Sequence, residues 1–149
     1  MPAFRPKDEN FEPRVRDSFA RQALMRLIGA RLARVEPGLA EIELSFRADL
    51  TQQHGYLHAG ITSAIADSAG GYAAFTLFPA ESSILTVEFK INLVAPAAGE
   101  RFLAVGRVLR PGRTLTVCGL EVFALLGSER TTIALGQQTL ICLEGQPDR

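Results

Sequence analysis

The sequence predicts an α+β fold in which a curved antiparallel sheet wraps around one long central helix. Residues 60–78 are small or apolar on almost every side, and Asp67 is their only charge, which is typical of a helix buried all round. Four extended runs follow without helices between them, so we expect antiparallel strands rather than strand–helix–strand units. The length of 149 residues is that of one domain, which we expect to span 1–149, with loose termini at 1–12 and 144–149.

An extra helix is predicted near the amino terminus, from about residue 15 to residue 28. Its apolar side chains recur at helical spacing, so we expect Phe19, Leu24 and Leu27 to face the body of the protein and the arginines to face water. Gly29 follows directly and is a plausible helix stop, because helices commonly end at a glycine.

A hairpin and a polar loop are predicted next. Residues 40–46 alternate between apolar and polar side chains, the period expected of a strand with one buried face. The Pro37-Gly38 pair predicts a turn that joins this strand to a shorter one at 32–36. Residues 48–55 have no such periodicity, so we expect a polar loop that leads into the central helix.

The carboxy-terminal half is predicted to form consecutive antiparallel strands that pair in sequence order. Turn signals rich in proline and glycine separate four runs, at residues 83–94, 101–110, 114–124 and 131–143. The first run alternates strictly, so we expect its apolar residues on one core-facing side of the sheet: Leu85, Val87, Phe89, Ile91 and Leu93.

Composition limits the classes of partner. With 47% hydrophobic residues, 21% charged residues and a formal net charge of zero, we expect no nucleic acid partner. No apolar run approaches the roughly twenty residues of a membrane-spanning helix, so no membrane association is expected. Cys118 and Cys142 lie in apolar runs rather than in a disulfide framework, which favours a cytoplasmic location. His54 and His58 lack an evident third ligand, so we expect no metal.

The junction between the polar loop and the central helix holds the main candidates for chemistry. A helix amino terminus leaves unpaired N–H groups in a favourable dipole, so the amides around Ala59, Gly60 and Ile61 are candidates to hold an oxyanion. Asp67 lies about two turns further on, where a carboxylate is costly unless it is hydrogen-bonded, water-accessible or functional. It is either a structural aspartate paired with hydroxyls such as that of Ser68, or a catalytic group.

These residues resemble the motif of the phenylacetic-acid-pathway (PaaI-like) acyl-CoA thioesterases, a family of the hotdog superfamily. That motif is an asparagine or glutamine, a glycine, a His-Gly-Gly and then an acidic residue in the central helix. The same elements fall at matching spacings in this chain: Gln52, Gly55, His58-Ala59-Gly60 and Asp67. Residues 86–96 are similar to the family's next strand, and the resemblance covers roughly residues 39–143. It implies a hotdog fold.

The resemblance also implies a function, the hydrolysis of acyl-coenzyme A thioesters, with coenzyme A as part of the substrate and no other cofactor. Asp67 is expected to act as general base or as nucleophile, and Gln52 to polarise the thioester carbonyl or to place the water. The Ala59 amide is expected to contact the carbonyl oxygen, Thr86 to orient the water and His58 to orient the loop. Family sites of this kind lie at the interface of a homodimer or homotetramer, with the loop and the carboxylate on different chains.

Further substrate contacts are expected from the loop residues Gly55, Tyr56 and Gly60. Arg110, Gly112 and Arg113 belong to a tight turn whose two guanidinium groups suit the phosphates of coenzyme A, and a solvated hairpin turn explains the same pattern. The family usually has glycine where this chain has Ala59. Since the backbone donor survives a methyl group, this difference bears on the size of the acyl group and not on the class of reaction.

Two other functions are compatible with the same fold. A hotdog hydratase or dehydratase acts on similar acyl thioesters, although those enzymes usually carry a different histidine-containing loop. A non-catalytic acyl-CoA-binding domain would bind the same ligand without turnover. The carboxylate of Asp67 argues against a pure binding role, because such a domain has no need to bury one.

Overall fold

The computed structural model describes residues 3–149, and this part of the chain forms three α-helices, one short 3-10 helix and six β-strands. The helices are α1 (Phe11–Ala20), α2 (Ala23–Ile28) and α3 (Ala59–Phe75), and the 3-10 helix spans Ala48–Leu50. The strands are β1 (Arg31–Glu36), β2 (Leu39–Ser45), β3 (Ser82–Leu93), β4 (Arg101–Arg110), β5 (Leu115–Leu126) and β6 (Glu129–Glu144). None of the described helices is both long and apolar enough to cross a membrane.

The six strands form one antiparallel sheet in the order β1-β2-β4-β5-β6-β3, and α3 packs against five of them. The predicted α+β fold, a hotdog arrangement of sheet and central helix, is therefore confirmed. The predicted pairing in sequence order is wrong for β3, which pairs with β6 and not with β4. The reason is that α3 carries the chain from β2 to the opposite edge of the sheet, so β3 adds there and β4 pairs with β2.

Close packing between α3 and the sheet depends on glycine. A Cβ built on Gly106 in β4 would overlap the backbone oxygen of Ala69 and the backbone nitrogen of Gly70. The backbone of β4 therefore approaches the backbone of α3 directly at this point. On either side of this contact the core is fully buried, as at Ile65 of α3 and Phe102 of β4.

The amino-terminal segment forms two helices instead of the single helix predicted for residues 15–28. The helix breaks at Gln22, whose backbone is extended with φ −72° and ψ 107°. The break turns the second helix, so Leu24 and Leu27 are exposed, against expectation, while Met25 and Ile28 are buried. The predicted stop at Gly29 is confirmed, because this residue caps α2 with a left-handed φ of 77°.

Residues 3–12 and 144–149 contact the rest of the protein, although loose termini were expected at 1–12 and 144–149, of which residues 1 and 2 lie outside the described residues. Arg14 in α1 pairs with Asp8 at 2.9 Å and donates to the backbone oxygens of Phe75 and Phe78 at 3.3 and 2.9 Å. These oxygens lie at the end of α3, where helix carbonyls lack partners within the helix. At the other end, the carboxylate of Asp148 pairs with Arg21 at 2.7 Å.

A β-bulge at Val87 changes which side chains of β3 face α3. Thr86 pairs with Leu140 and Glu88 with Thr139, so Val87 has no partner on β6. Residues opposite one another in an antiparallel pair share a face, and Leu140 is buried. Thr86 therefore faces inward, and so does Phe89 beyond the bulge, opposite the buried Gln138. The predicted single apolar face from residue 85 to residue 93 is wrong, because Leu85 lies on the outer face with Ile141.

We predict that Gly106→Ala destabilises the protein strongly, because two backbones must separate to admit the new methyl group. Overpacking of this kind costs on the order of 1–3 kcal/mol or more in the free energy of unfolding. Gly71→Ala is the matched control, since its Cβ would meet Leu140 Cδ2 at an ordinary 3.7 Å and alanine favours a helix by about 1 kcal/mol over glycine. Chemical denaturation measures both changes. A Gly106→Ala protein as stable as the wild type would contradict the prediction.

Candidate active site

The loop before α3 is held in one conformation by backbone hydrogen bonds. The amide of Gln52 donates to the Tyr56 oxygen at 2.9 Å, and the side-chain oxygen of Gln52 accepts from the His54 amide. Gly55 completes the turn with a φ of 82°, a left-handed value that favours glycine. The buried Leu57 anchors the loop through its amide, which donates to Ala97 at 3.1 Å. The loop therefore presents Gln52 and the exposed Tyr56 from a fixed backbone.

The start of α3 leaves one amide without a partner. His58 is the N-cap, and its Nδ1 accepts from the Gly60 amide at 2.8 Å. The amides of Ile61 and Thr62 donate to the His58 backbone oxygen at 2.9 and 3.1 Å. Among the described residues the Ala59 amide has no acceptor, so of the three expected oxyanion donors it alone is uncommitted. The cap also fits the orienting role expected of His58.

Asp67 is half-buried and hydrogen-bonded to the sheet rather than to its own helix. The Thr86 hydroxyl donates to Asp67 Oδ1 at 2.7 Å, and the Gln138 side-chain amide donates to the same oxygen. Ser68 is not its partner, since that hydroxyl donates to Gln22 at 3.3 Å. Within residues 3–149 no group donates to Asp67 Oδ2, so one carboxylate oxygen is fixed and the other is free to act.

A cleft of about 410 Å³ opens beside Asp67, between α3, β3 and the break between α1 and α2. Its wall carries a polar cluster around the Tyr72 hydroxyl, which lies 3.2 Å from the Ser18 hydroxyl and accepts from Gln22 Nε2 at 3.0 Å. Burial raises the pKa of the Tyr72 phenol above its ordinary value, so this hydroxyl remains protonated at neutral pH. The cleft is therefore apolar along the sheet, at Ile84, Leu85 and Leu140, and hydrogen-bonding at the wall that carries the Tyr72 hydroxyl.

One chain does not bring the predicted residues together. Ala59 and Asp67 are eight positions apart on the same helix, which separates them by about 12 Å along the axis. A thioester carbonyl offers one carbon and one oxygen about 1.2 Å apart, so the Ala59 amide and the Asp67 carboxylate of one chain do not meet at the same carbonyl. A site that uses both groups needs a second copy of the chain.

The arginine turn lies at the opposite end of α3 from the loop. Gly112 is required there, since a Cβ would overlap the Leu115 backbone oxygen. A separate cleft of about 380 Å³ is lined by Gly112 and Arg113 together with Lys7 and Phe78. Arg110 is exposed at the end of β4. The turn is therefore basic and accessible, and it does not touch Asp67 within one chain.

The cysteines are unsuited to nucleophilic chemistry. Cys118 is fully buried, and burial raises the pKa of its thiol to about 12. Burial also raises the pKa of Cys142. Because the thiolate is the reactive form, both side chains are packing residues. Across residues 3–149, no group of three or more His, Cys, Asp or Glu side chains is arranged to hold a metal ion.

Gln138 is one of two site residues that sequence reasoning missed. It interrupts the apolar inward face of β6 between Gly136 and Leu140, and this position was the available signal. This signal is weak. Gln137 directly precedes Gln138, and the sequence does not show which of the two glutamines faces inward, because adjacent residues of a strand lie on opposite faces. Gln22 was missed for a different reason, since it lay inside a predicted continuous helix.

Comparison with known proteins shows the family of the chain. The family model described as "Thioesterase superfamily" matches residues 54–129, which is 76 of the 149 residues. The crystal structure of a thioesterase family protein from Silicibacter pomeroyi is 49% identical, covers 91% of this chain and 99% of its own, and superposes with a TM-score of 0.89.

Two more distant relatives extend the comparison. The PaaI protein from the phenylacetic acid degradation operon of E. coli shares the fold, with a TM-score of 0.83, 18% identity and coverage of 95% of this chain and 99% of its own. The 1,4-dihydroxy-2-naphthoyl-CoA hydrolase of Listeria monocytogenes is 25% identical over 116 residues, which are 75% of this chain and 94% of that protein. The chain described here therefore belongs to the thioesterase superfamily and is a thioester hydrolase.

Proposed function

We propose that the protein hydrolyses acyl-coenzyme A thioesters at a site shared by two copies of the chain. Asp67 of one copy and the Ala59 amide of the other act on the same carbonyl. The observation that carries the proposal is the pair of uncommitted groups: Oδ2 of Asp67 beside the cleft, and the Ala59 N–H at the start of α3. These are the two groups that a thioester hydrolase needs, one to deliver water and one to stabilise the oxyanion.

In the general-base route, Asp67 Oδ2 takes a proton from water as the water oxygen attacks the thioester carbonyl carbon. The carbonyl electrons move onto oxygen, where the Ala59 amide and Gln52 of the second copy stabilise the negative charge. Collapse of this intermediate breaks the C–S bond, and the proton on Asp67 passes to the sulfur to release free coenzyme A and the acid. In the nucleophilic route Oδ2 attacks the carbon directly, the C–S bond breaks and coenzyme A leaves as the thiolate. Water then hydrolyses the resulting anhydride, which restores the Asp67 carboxylate and releases the acid, and a proton from that water neutralises the thiolate.

The second copy is proposed to dock along β3, which lies at one edge of the sheet. Apolar side chains along this strand are exposed: Leu85 59%, Val87 55%, Phe89 44% and Leu93 55%. A long apolar edge strand is unstable in isolation and invites pairing with another chain, most simply about a two-fold axis. Thr86 and Asp67 lie beside this edge, so a neighbour paired there would bring its own loop to them.

The cleft beside Asp67 is proposed to receive the acyl group. Its polar wall at Tyr72, Gln22 and Ser18 favours an acyl group that carries a hydrogen-bonding substituent over an unsubstituted one of equal size. The hydroxylated aromatic acyl group in the name of the Listeria relative has such substituents. The pantetheine and nucleotide parts of coenzyme A would extend from the cleft towards solvent, and the basic turn at Arg113 is available to bind the phosphates.

The first test is thiol release from a panel of acyl-coenzyme A esters, paired so that each hydroxylated aromatic or aliphatic acyl group has an unsubstituted counterpart. We expect turnover, with higher kcat/KM for the hydroxylated member of a pair. Asp67→Asn, which keeps shape but removes the charge, should lower kcat by roughly 10²-fold or more. An Asp67→Asn variant with wild-type kcat would refute the role of Asp67, and binding without turnover would refute hydrolysis.

Proline at position 59 tests the oxyanion donor. Ala59 is the first residue of α3, a position that tolerates proline, and the extended His58 (ψ 137°) suits the residue before a proline. Ala59→Pro therefore deletes the N–H with little change in the fold, and we expect kcat to fall roughly 10²- to 10³-fold. Ala59→Gly keeps the N–H and is the control, for which kcat should stay near the wild-type value. Equal activity in the two variants would exclude the Ala59 amide as donor.

Mixed dimers test whether the site is shared. When Asp67→Asn and Ala59→Pro chains are unfolded together and refolded, random pairing gives heterodimers in which one of the two sites has both groups intact. We expect recovery of about one quarter of wild-type activity, although each variant alone is nearly inactive. If each site came from a single chain, every site in the mixture would lack one group and no activity would return.

A further inference from the structure

Gln138 connects three elements at the candidate site. Its side chain lies on the inner face of β6 and is 1% exposed. Nε2 donates to Asp67 Oδ1 in α3, and it also lies 3.0 Å from Thr86 Oγ1 in β3 and 3.2 Å from the Asp67 backbone oxygen. A single carboxamide therefore contacts both side chains to which the hydrolytic chemistry is assigned.

The orientation of this carboxamide is fixed by its surroundings. The NH₂ group faces three oxygen acceptors, so a flipped amide would direct Oε1 at the Asp67 carboxylate. In the observed orientation Oε1 lies against Gly70, where a Cβ would overlap it. Glycine is less favourable than alanine inside a helix, and here it makes room for Gln138.

The arrangement also leaves a polar atom unpaired. Oε1 of Gln138 is buried and has no hydrogen-bond partner among the described residues. An unpaired buried polar group destabilises the folded protein, and a purely structural position would be filled at a lower cost in stability by an apolar side chain. The amide is retained at a cost in stability, which is typical of residues that serve a site.

The hydrogen bonds set the direction of the Thr86 hydroxyl proton. Thr86 Oγ1 accepts from Gln138 Nε2, so its one proton goes to Asp67 Oδ1. Oδ1 thus has two donors, and the negative charge is left to act through Oδ2. The second lone pair of Thr86 Oγ1 remains available to accept from the attacking water.

We propose that Gln138 is a positioning residue of the hydrolysis: its amide fixes Asp67 as an acceptor with Oδ2 towards the water, and it orients the Thr86 hydroxyl to accept a hydrogen bond from the water's other O–H. This inference rests on the proposed role of Asp67. A structural residue would act on the amount of folded protein, whereas Gln138 acts on the turnover of the folded enzyme.

The test replaces Gln138 by methionine, which keeps length and volume and removes both amide protons. Gln137→Met makes the same change on the adjacent, exposed residue and is the matched control. With the best substrate of the panel, we expect Gln138→Met to lower kcat about tenfold or more. KM should stay within about twofold of the wild type, because only a group that acts in the transition state is disturbed. Gln137→Met should match the wild type.

Gln138→Glu supplies a readout that does not depend on stability. It sets a second carboxylate beside Asp67, and two adjacent carboxylates do not readily carry full charge together. We expect the acid limb of the pH profile of kcat to move to higher pH by about one unit or more. A residue that only fills space would change the height of the profile and leave its position unchanged.

The inference is overturned if Gln138→Met keeps kcat within about twofold of the wild type, if its loss only follows the folded fraction measured by thermal unfolding, or if the Gln138→Glu profile overlays the wild-type profile. Should Gln138→Met fail to fold, the Gln138→Glu profile decides. Asp67→Asn separates the two proposals. If Asp67→Asn is inactive and Gln138→Met is active, only the proposed role of Gln138 fails. If Asp67→Asn is active, the proposed function fails as well.

Discussion

The contact between α3 and the concave face of the sheet is the constraint on which the rest of the structure depends. The helix has no polar side of its own, and at Gly106 the sheet approaches its backbone too closely for a side chain between them. A polar group on this face must therefore find its partners on the sheet. Asp67 does so through Thr86 and Gln138, and in this way the packing that stabilises the fold also orients the carboxylate.

Local patterns predicted most of the elements and pointed to the candidate site. The apolar run around Asp67 indicated the buried helix. The end of α2 at Gly29 was also predicted correctly, because the residue after a helix often adopts a left-handed backbone conformation that favours glycine. The pairing of β3 was not predictable in this way, because it depends on where α3 delivers the chain. Its faces were misassigned because a bulge at Val87 leaves no mark in an alternating sequence.

The candidate site was predictable only in part, because some of its contacts join residues that are far apart in the sequence. Residues close in the sequence, such as His58 and Gly60 at the start of α3, interact locally, so a motif identifies them. Gln138 reaches Asp67 across 71 positions, and nothing in the sequence near either residue indicates the contact. The break at Gln22 is also a tertiary effect, since its side chain bonds to Tyr72 and Ser68 of α3 and the local helical period is overridden.

The bulge at Val87 determines which residues of β3 face the inner side of the sheet. Thr86, before the bulge, and Phe89, after it, face the same side only because one residue between them has no partner on β6. Losing that residue would restore regular alternation and turn either the hydroxyl away from Asp67 or the apolar side chains away from the inner face. Insertions or deletions here are therefore tolerable only in pairs, whereas an exposed turn such as that at Gly127 can change length by one residue. In diverging relatives, length variation should accordingly avoid this strand and accumulate in the turns.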